Sequence, residues 1–241
     1  MTSSQQKRAI VTGASSGIGQ ATALAFARSG IHVALVGRSR ERLEAVAREA
    51  AAKGVEAKAY CLDLARVEAV KEGIEAIAAD FGEIDILVNN AGMGYTGSLL
   101  ETPLADWQRT IDLNLTSVFE CIRAIVPGMR DRQSGLIINV ASIAAKNSFP
   151  DWGVYCTSKA AVVALSKVLA LEERANGIRT VVIYPGAVNT PIWDTNTVNA
   201  DFDRAAMLTP ETVAESILYA ALLPDNTVIE ELTLMPSAGS Q

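Results

Sequence analysis

Apolar β-type runs alternate with amphipathic helical runs from one end of the chain to the other. Residues 8–12 (Arg8-Ala9-Ile10-Val11-Thr12) read as a strand, and a Gly-rich turn then leads into a helix over about 17–29. A second strand at 31–36 precedes a charged helix at about 39–53 that ends at Gly54. A third strand at 56–61 precedes a helix at about 66–81, ending near Gly82. After a fourth strand at 84–88 and a loop, the helical pattern runs from about 104 to 132, with Pro127 expected to bend or end it. A fifth strand at 136–140, a helix at about 152–175, a sixth strand at 178–184, a helix at about 211–222 and a last strand at 228–234 complete the chain. Runs such as Ile86-Leu87-Val88 and Leu136-Ile137-Ile138-Asn139-Val140 do not alternate. They suit strands buried on both faces, as in a parallel sheet with helices on each side. The order therefore predicts a doubly wound α/β domain of roughly seven parallel strands. No linker divides residues 1–241. The stretch 187–209, rich in Asn, Thr and Asp with little periodicity, reads as a mobile substrate loop or lid.

Composition narrows the function. With 241 residues and 49% hydrophobic content, the chain can bury one large core. A net charge of -6 with no Lys/Arg cluster argues against a nucleic-acid partner. One histidine and three scattered cysteines give no metal-ligand spacing, so no metal is expected. Cys61, Cys121 and Cys156 suit reduced thiols, Cys156 as a packing residue and His32 as a packed or edge residue of its strand. The start, Met1 to Gln6, has no apolar core, so no signal peptide is expected. No apolar run is expected to reach the ~20 residues that a membrane span requires. A soluble, cytoplasmic protein is the expectation.

Thr12-Gly13-Ala14-Ser15-Ser16-Gly17-Ile18-Gly19 follows a strand and opens a helix. Glycines there allow a sharp turn and close approach of a pyrophosphate, and the helix start offers free N–H groups. At the end of the second strand, where folds that prefer NAD place an acid for the ribose 2′-hydroxyl, stand Gly37, Arg38, Ser39 and Arg40. With no carboxylate and a guanidinium present, the expected cofactor is NADP(H) rather than NAD(H), unless Arg38 is only a surface residue. Asp63, followed by Leu64 at the end of the third strand, is placed to accept from an adenine amino group. Asn89-Asn90-Ala91-Gly92 ends the fourth strand, where ligands of such sheets bind, although turn chemistry also explains it.

Tyr155 and Lys159 stand four residues apart, on one face of a helix. An ammonium beside a phenol favours the phenolate, which would lower the phenol's pKa and suit it to exchange a proton with a substrate oxygen. Such pairs also arise by chance on solvated helices.

Taken together, these residues resemble the short-chain dehydrogenase/reductase family, a Rossmann-fold family. The resemblance covers nearly the whole chain: Thr-Gly-x-x-x-Gly-Ile-Gly at 12–19, Asp63, Asn89-Asn90-Ala91-Gly92, Asn114, Ser142, Tyr155-x-x-x-Lys159 and Pro185-Gly186 recur in order. It implies Tyr155 as acid/base and Lys159 as its pKa-lowering partner and ribose ligand. Ser142 is implied as the donor that polarises a carbonyl, and Asn114 as the residue whose backbone carbonyl holds a water leading to Lys159. The resemblance further implies a partly structural, partly cofactor-facing Asn89. It places Pro185, Gly186, Val188 and Thr190 against the nicotinamide. It also implies a homo-oligomer, a dimer or tetramer, packed through the long helices. Ala160, Ala161 and Ala164 either permit that approach or pack on the protein's own sheet.

The expected reaction is reversible reduction of a small ketone or 3-oxo compound to a secondary alcohol. Acyl-carrier-protein reductases of the family usually end near Val-Asp-Gly-Gly and carry Phe-Ile-x-Thr-Asp-Met after Pro-Gly. This chain departs from both, with Ile229 to Pro236 and Ala187 to Trp193. A carrier-protein reductase, a sugar or polyol dehydrogenase and a non-catalytic redox sensor remain as alternatives. Tyr95, Ile143, Phe149, Trp152, Ile192 and Trp193 form either an apolar substrate pocket or ordinary core.

Overall fold

The apolar runs become β1 (Arg8–Thr12), β2 (His32–Gly37), β3 (Ala57–Cys61), β4 (Ile86–Asn89), β5 (Gly135–Val140), β6 (Ile178–Pro185) and β7 (Glu231–Leu234). All pair in parallel, in the order β3-β2-β1-β4-β5-β6-β7. The computed structural model describes residues 6–200, 202–237 and 239. The opening Met1 to Gln5 and Asp201 of the expected loop lie outside the described residues.

Strand residues alternate between two cores. Ala9, Val11, Val33 and Leu35 face α1 (Gly17–Arg28), α2 (Arg40–Ala51) and α7 (Pro210–Leu222). Ile10, Ala34, Val36 and Leu87 face α3 (Val70–Phe81), α5 (Ser117–Arg132) and α6 (Gly153–Glu173). With a helix layer on each face, the central strands need apolar residues at every position, which is why β1, β4 and β5 do not alternate. Between β1 and β4 the chain order reverses, and ligands of such sheets bind in the crevice this opens at the C-terminal strand ends.

The helical pattern over 104–132 differs from expectation. It divides into α4 (Leu104–Ile111), a π-helical turn (Asp112–Thr116) and α5. Pro127 neither ends nor divides α5, which continues to Arg132. Its ring lies on the exposed side, where the carbonyl it leaves unbonded meets water. α6 is also a correction: it begins a helical run, Gly153 to Asn176, that by length and composition alone is apolar enough to cross a bilayer. In this fold it packs on β6, with Ser158, Lys159 and Ser166 buried. Ala160 and Ala164 on α6 are exposed and so do not pack on the sheet. Val168, Leu171 and Phe119 are likewise exposed on α6 and α5.

The ends of α5 and α6 are joined through one carboxylate. Glu173 is 1% exposed, receives Arg130 Nε at 2.7 Å and a second guanidinium contact, and receives Asn176 Nδ2 at 2.9 Å. Arg130 above all holds the Glu173 carboxyl below its ordinary value, against the opposing effect of burial. A depressed carboxylate contributes stability that is complete above the ordinary value of 4.5 and is lost as pH falls through the depressed one. Glu173→Gln is therefore expected to cost about 1–3 kcal/mol at neutral pH, with the gap to the parent protein narrowing as acid is added. Thermal unfolding across acidic and neutral buffers measures this, and a gap that stays constant with pH contradicts it.

Candidate active site

At the end of β1 the Thr12 hydroxyl accepts the backbone N–H groups of Asn90 (2.9 Å) and Ala91 (3.0 Å) and donates to the Val88 carbonyl (3.2 Å). Asn90 Nδ2 donates back to the Thr12 carbonyl at 3.0 Å. These bonds lock the Gly-rich turn against the loop after β4. Gly13 has φ +66°, and a Cβ there would meet Asn90 Nδ2 at 2.8 Å. Gly19 is buried, and a Cβ on it would stand 2.3 Å from the Gly13 carbonyl oxygen. Gly19 thus lets α1 pack onto the turn, and unlike Gly13 and Gly17 it does not line the cavity. The first turn of α1 carries no acid and its N-cap, Ser16, makes no side-chain capping bond, which leaves a helix start suited to phosphate.

One cavity of about 1190 Å³ runs along the C-terminal strand ends. Single-ligand pockets run to about 300–1,000 Å³, so this one has room for a dinucleotide together with a substrate. Gly13, Ser15, Ser16, Gly17, Ile18, Arg38, Ser39, Asp63, Leu64, Ala91 and Gly92 line it. So do Ser142, Tyr155, Lys159, Pro185, Gly186, Val188 and Thr190. The Asp63 carboxylate also accepts the Ala65 N–H at 3.1 Å, so one oxygen holds its own turn. Asn89, expected to be partly structural and partly cofactor-facing, is buried in the sheet, where its Nδ2 donates to Asn139 Oδ1 at 2.8 Å, and it is Asn90 that reaches the cavity. Asn139 continues the buried chain to Ser166 at 2.8 Å.

Asn114 lies one layer behind the cavity wall, in the π-helical turn, and is 1% exposed. Its Oδ1 accepts Met93 N–H (2.8 Å), and its Nδ2 donates to Met93 O (2.9 Å) and Ser158 Oγ (3.0 Å). Ser158 Oγ in turn donates to the Tyr155 carbonyl at 2.8 Å. One amide thereby ties the loop after β4 and α6 to the π-helical turn. Gly92 completes the approach, since a Cβ on it would lie 3.1 Å from Asn114 Oδ1 and 3.4 Å from Lys159 Nζ.

Lys159 Nζ donates to the Val140 carbonyl at 3.0 Å and lies 5.9 Å from the Tyr155 ring centre. Burial pushes the ammonium down to about 8. The phenol departs from expectation: burial pushes Tyr155 above its ordinary value, with Ser142 opposing and Cys156 adding to the rise. Because the ammonium is directed to a carbonyl, it does not offset the cost of burying a phenolate. Ser142 caps the short turn Ile143–Ala145, its Oγ accepting the Ala144 N–H at 3.1 Å, which fixes the hydroxyl at the mouth of β5.

On the far side Ile143, Phe149, Trp152, Ile192 and Trp193 line the same cavity. Tyr95 does not: it lies against Gly97 with its hydroxyl 3.4 Å from Asp106. The 187–209 segment carries short turns at Pro191–Asp194 and Arg204–Ala206, and its ends meet where Val188 bridges Leu208. Arg204 binds Asn189, Thr190 O and Asp194 within it, and Thr197 donates to Gly94 O at 2.8 Å. A Cβ on Gly17 would meet Thr190 Cγ2 at 3.0 Å, so this segment reaches back over the Gly-rich turn.

Arg42, Met93, Arg109, Leu113 and Phe202 also line the cavity, and Thr12 and Ser158 support it, none of them assigned a role from sequence. Arg42 lies on the first turn of α2, four residues after Arg38, a spacing that charge patterning alone makes visible. Phe202 sits in an aperiodic stretch with no local signal.

Residues 7–200 match the family model described as short chain dehydrogenase. A 3-oxoacyl-[acyl-carrier-protein] reductase of Staphylococcus epidermidis is 40% identical over 183 residues, covering 76% of this chain and 75% of that protein. Glycine betaine reductase of Emericella nidulans is 35% identical over 236 residues, or 95% of this chain, which spans only 19% of that protein. Among solved structures, an alcohol dehydrogenase from Thermococcus sibiricus complexed with 5-hydroxy-NADP superposes with a TM-score of 0.90 at 32% identity, covering 98% of this chain and 99% of that one. On the match of its sequence and the agreement of its fold, this chain belongs to the short-chain dehydrogenase family and is an oxidoreductase.

Proposed function

We propose that this protein is an NADP(H)-dependent carbonyl reductase that converts a ketone or 3-oxo compound reversibly to a secondary alcohol. The observation that carries this reading is the single cavity. It has a helix start and two guanidinium groups, Arg38 and Arg42, at one end, and Ser142, Tyr155 and Lys159 in the wall of the other. A nicotinamide dinucleotide held there supplies the hydride for reduction. Gly13, Ser15, Ser16 and Gly17 would hold its pyrophosphate by backbone and hydroxyl groups, and Arg38 with Arg42 its 2′-phosphate. Binding of 5-hydroxy-NADP by the similar Thermococcus sibiricus enzyme supports the cofactor choice.

Tyr155 donates the proton that the carbonyl oxygen takes up as charge builds on it, and Ser142 donates a hydrogen bond to the same oxygen. A phenol kept protonated by burial is suited to the donor role. Lys159, with a pKa near 8, exchanges protons close to neutral pH and restores that of Tyr155. Asn114 keeps the π-helical turn and α6 in register through Ser158. The departures at 187–193 and 229–236 favour a free ketone over a carrier-protein thioester, although the 40% identical relative is named for the latter reaction.

Tyr155→Phe is expected to lower kcat by about 10²–10⁴-fold with NADPH affinity little changed, measured by NADPH oxidation and by nucleotide titration. Full activity in this variant contradicts the assignment of the proton donor. Arg38→Asp is expected to weaken NADPH binding by about 10- to 100-fold, the loss of a charged hydrogen-bond partner, while NADH binding holds or improves. An unaltered ratio of the two dissociation constants removes the 2′-phosphate role from Arg38.

A further inference from the structure

The substrate wing of the cavity is aromatic to an extent the composition does not lead one to expect. Aromatic residues make up 5% of the chain, with three Trp and five Phe. Two of each, Trp152, Trp193, Phe149 and Phe202, line this one wing. Three of them form a ladder that starts on the acid/base itself. The Trp152 ring meets Tyr155 at 5.5 Å and 66°, Trp193 meets Trp152 at 5.9 Å and 71°, and Phe202 meets Trp193 at 5.2 Å and 82°. The ladder is fixed at its centre, where Trp193 Nε1 donates to the Val188 carbonyl at 2.7 Å.

Charge is cancelled in the same wing. Asp194 lines it, and Arg204 holds that carboxylate at 3.0 Å while also binding Asn189 and Thr190. Arg109, on α4, lines the same cavity. The Asp194 carboxylate of this wing is thus paired, and ring surfaces dominate its wall. An aliphatic group gains only area from such a wall. A substrate ring gains area and, in addition, edge-to-face or offset contacts with the rings already there. A cation is attracted to ring faces as well, and the carboxylate in this wing, Asp194, is already paired with Arg204.

We propose that the substrate class is a ketone carrying an aromatic ring beside the carbonyl, with Trp152 and Phe202 as specificity-determining residues. This rests on the carbonyl-reductase reading above. Seated on Trp152, the substrate ring is next to Tyr155, so its carbonyl falls within the reach of that phenol and of Ser142.

The test compares phenyl methyl ketone with cyclohexyl methyl ketone, a pair of the same shape class that differs in aromaticity. Conjugation alters their intrinsic reactivity, so the quantity read is how the ratio of their kcat/KM values changes between the parent enzyme, Trp152→Leu and Phe202→Leu. Leucine keeps the wall apolar and removes the ring. A second readout is calorimetric titration of the NADP-saturated protein with the two product alcohols. The phenyl-to-cyclohexyl ratio is expected to fall about two- to tenfold in Trp152→Leu and by less in Phe202→Leu, with the alcohol affinities following. Ratios unchanged in both variants, with turnover intact, overturn the aromatic assignment and leave the carbonyl-reductase reading standing. A larger loss on a trimethylammonium-bearing ketone than on the phenyl ketone overturns it in favour of a cation site. Absence of turnover and of alcohol binding in the parent enzyme overturns both readings.

Discussion

The buried amide of Asn114 is the constraint on which the rest of the site depends. A side-chain amide carries both donors and an acceptor, and in a dry environment each must find a partner. Asn114 reaches backbone on Met93 and the hydroxyl of Ser158, which belong to different segments. It does so from a π-helical turn, a geometry that places one extra residue in the helix and runs its backbone bonds i→i+5. Remove that amide and the loop bearing Gly92, the turn itself and the helix bearing Tyr155 and Lys159 lose their common point. The energetic logic is asymmetric: a satisfied buried amide adds little net stability, whereas an unsatisfied partner costs more.

A second constraint lies in the sheet. Strands buried on both faces give a rigid floor, and the reversal of order between β1 and β4 leaves a crevice there that no helix fills. Thr12 spans that crevice with bonds to Asn90, Ala91 and Val88. The Gly-rich turn and the loop after β4 are consequently held as one unit, and the nucleotide end of the cavity is preorganised by the floor. The substrate end is built differently. Its wall comes from the turn after β5, the start of α6 and the segment 187–209, with aromatic contacts supplying the packing.

This difference explains what the sequence made legible. Positions where backbone chemistry dictates the residue were readable: Gly13 and Gly17 need positive φ, and β4 and β5 need unbroken apolar runs. Tyr155 and Lys159 were readable from their spacing on one helix face, but their electrostatics were not. The sequence suggested an ammonium beside a phenol, whereas Lys159 is directed to the Val140 carbonyl and burial dominates both groups. The cofactor-facing part was assigned to Asn89, whereas Asn90 lines the cavity, because which of two adjacent residues faces it depends on where β4 ends in the sheet. Tyr95, expected in the pocket, lies outside it, and Phe202, which was assigned no role, lines it, for a similar reason: loop geometry, not periodicity, decides which ring points inward. Pro127 misled because its effect depends on which side of α5 faces water.

The most direct measurement is titration of the protein with NADPH and with NADH, followed at once by NADPH oxidation over a mixed panel of ketones. The account predicts selective binding of NADPH, together with turnover of at least one ketone. Equal affinity for the two nucleotides, or selective binding with no turnover on any carbonyl, would contradict it.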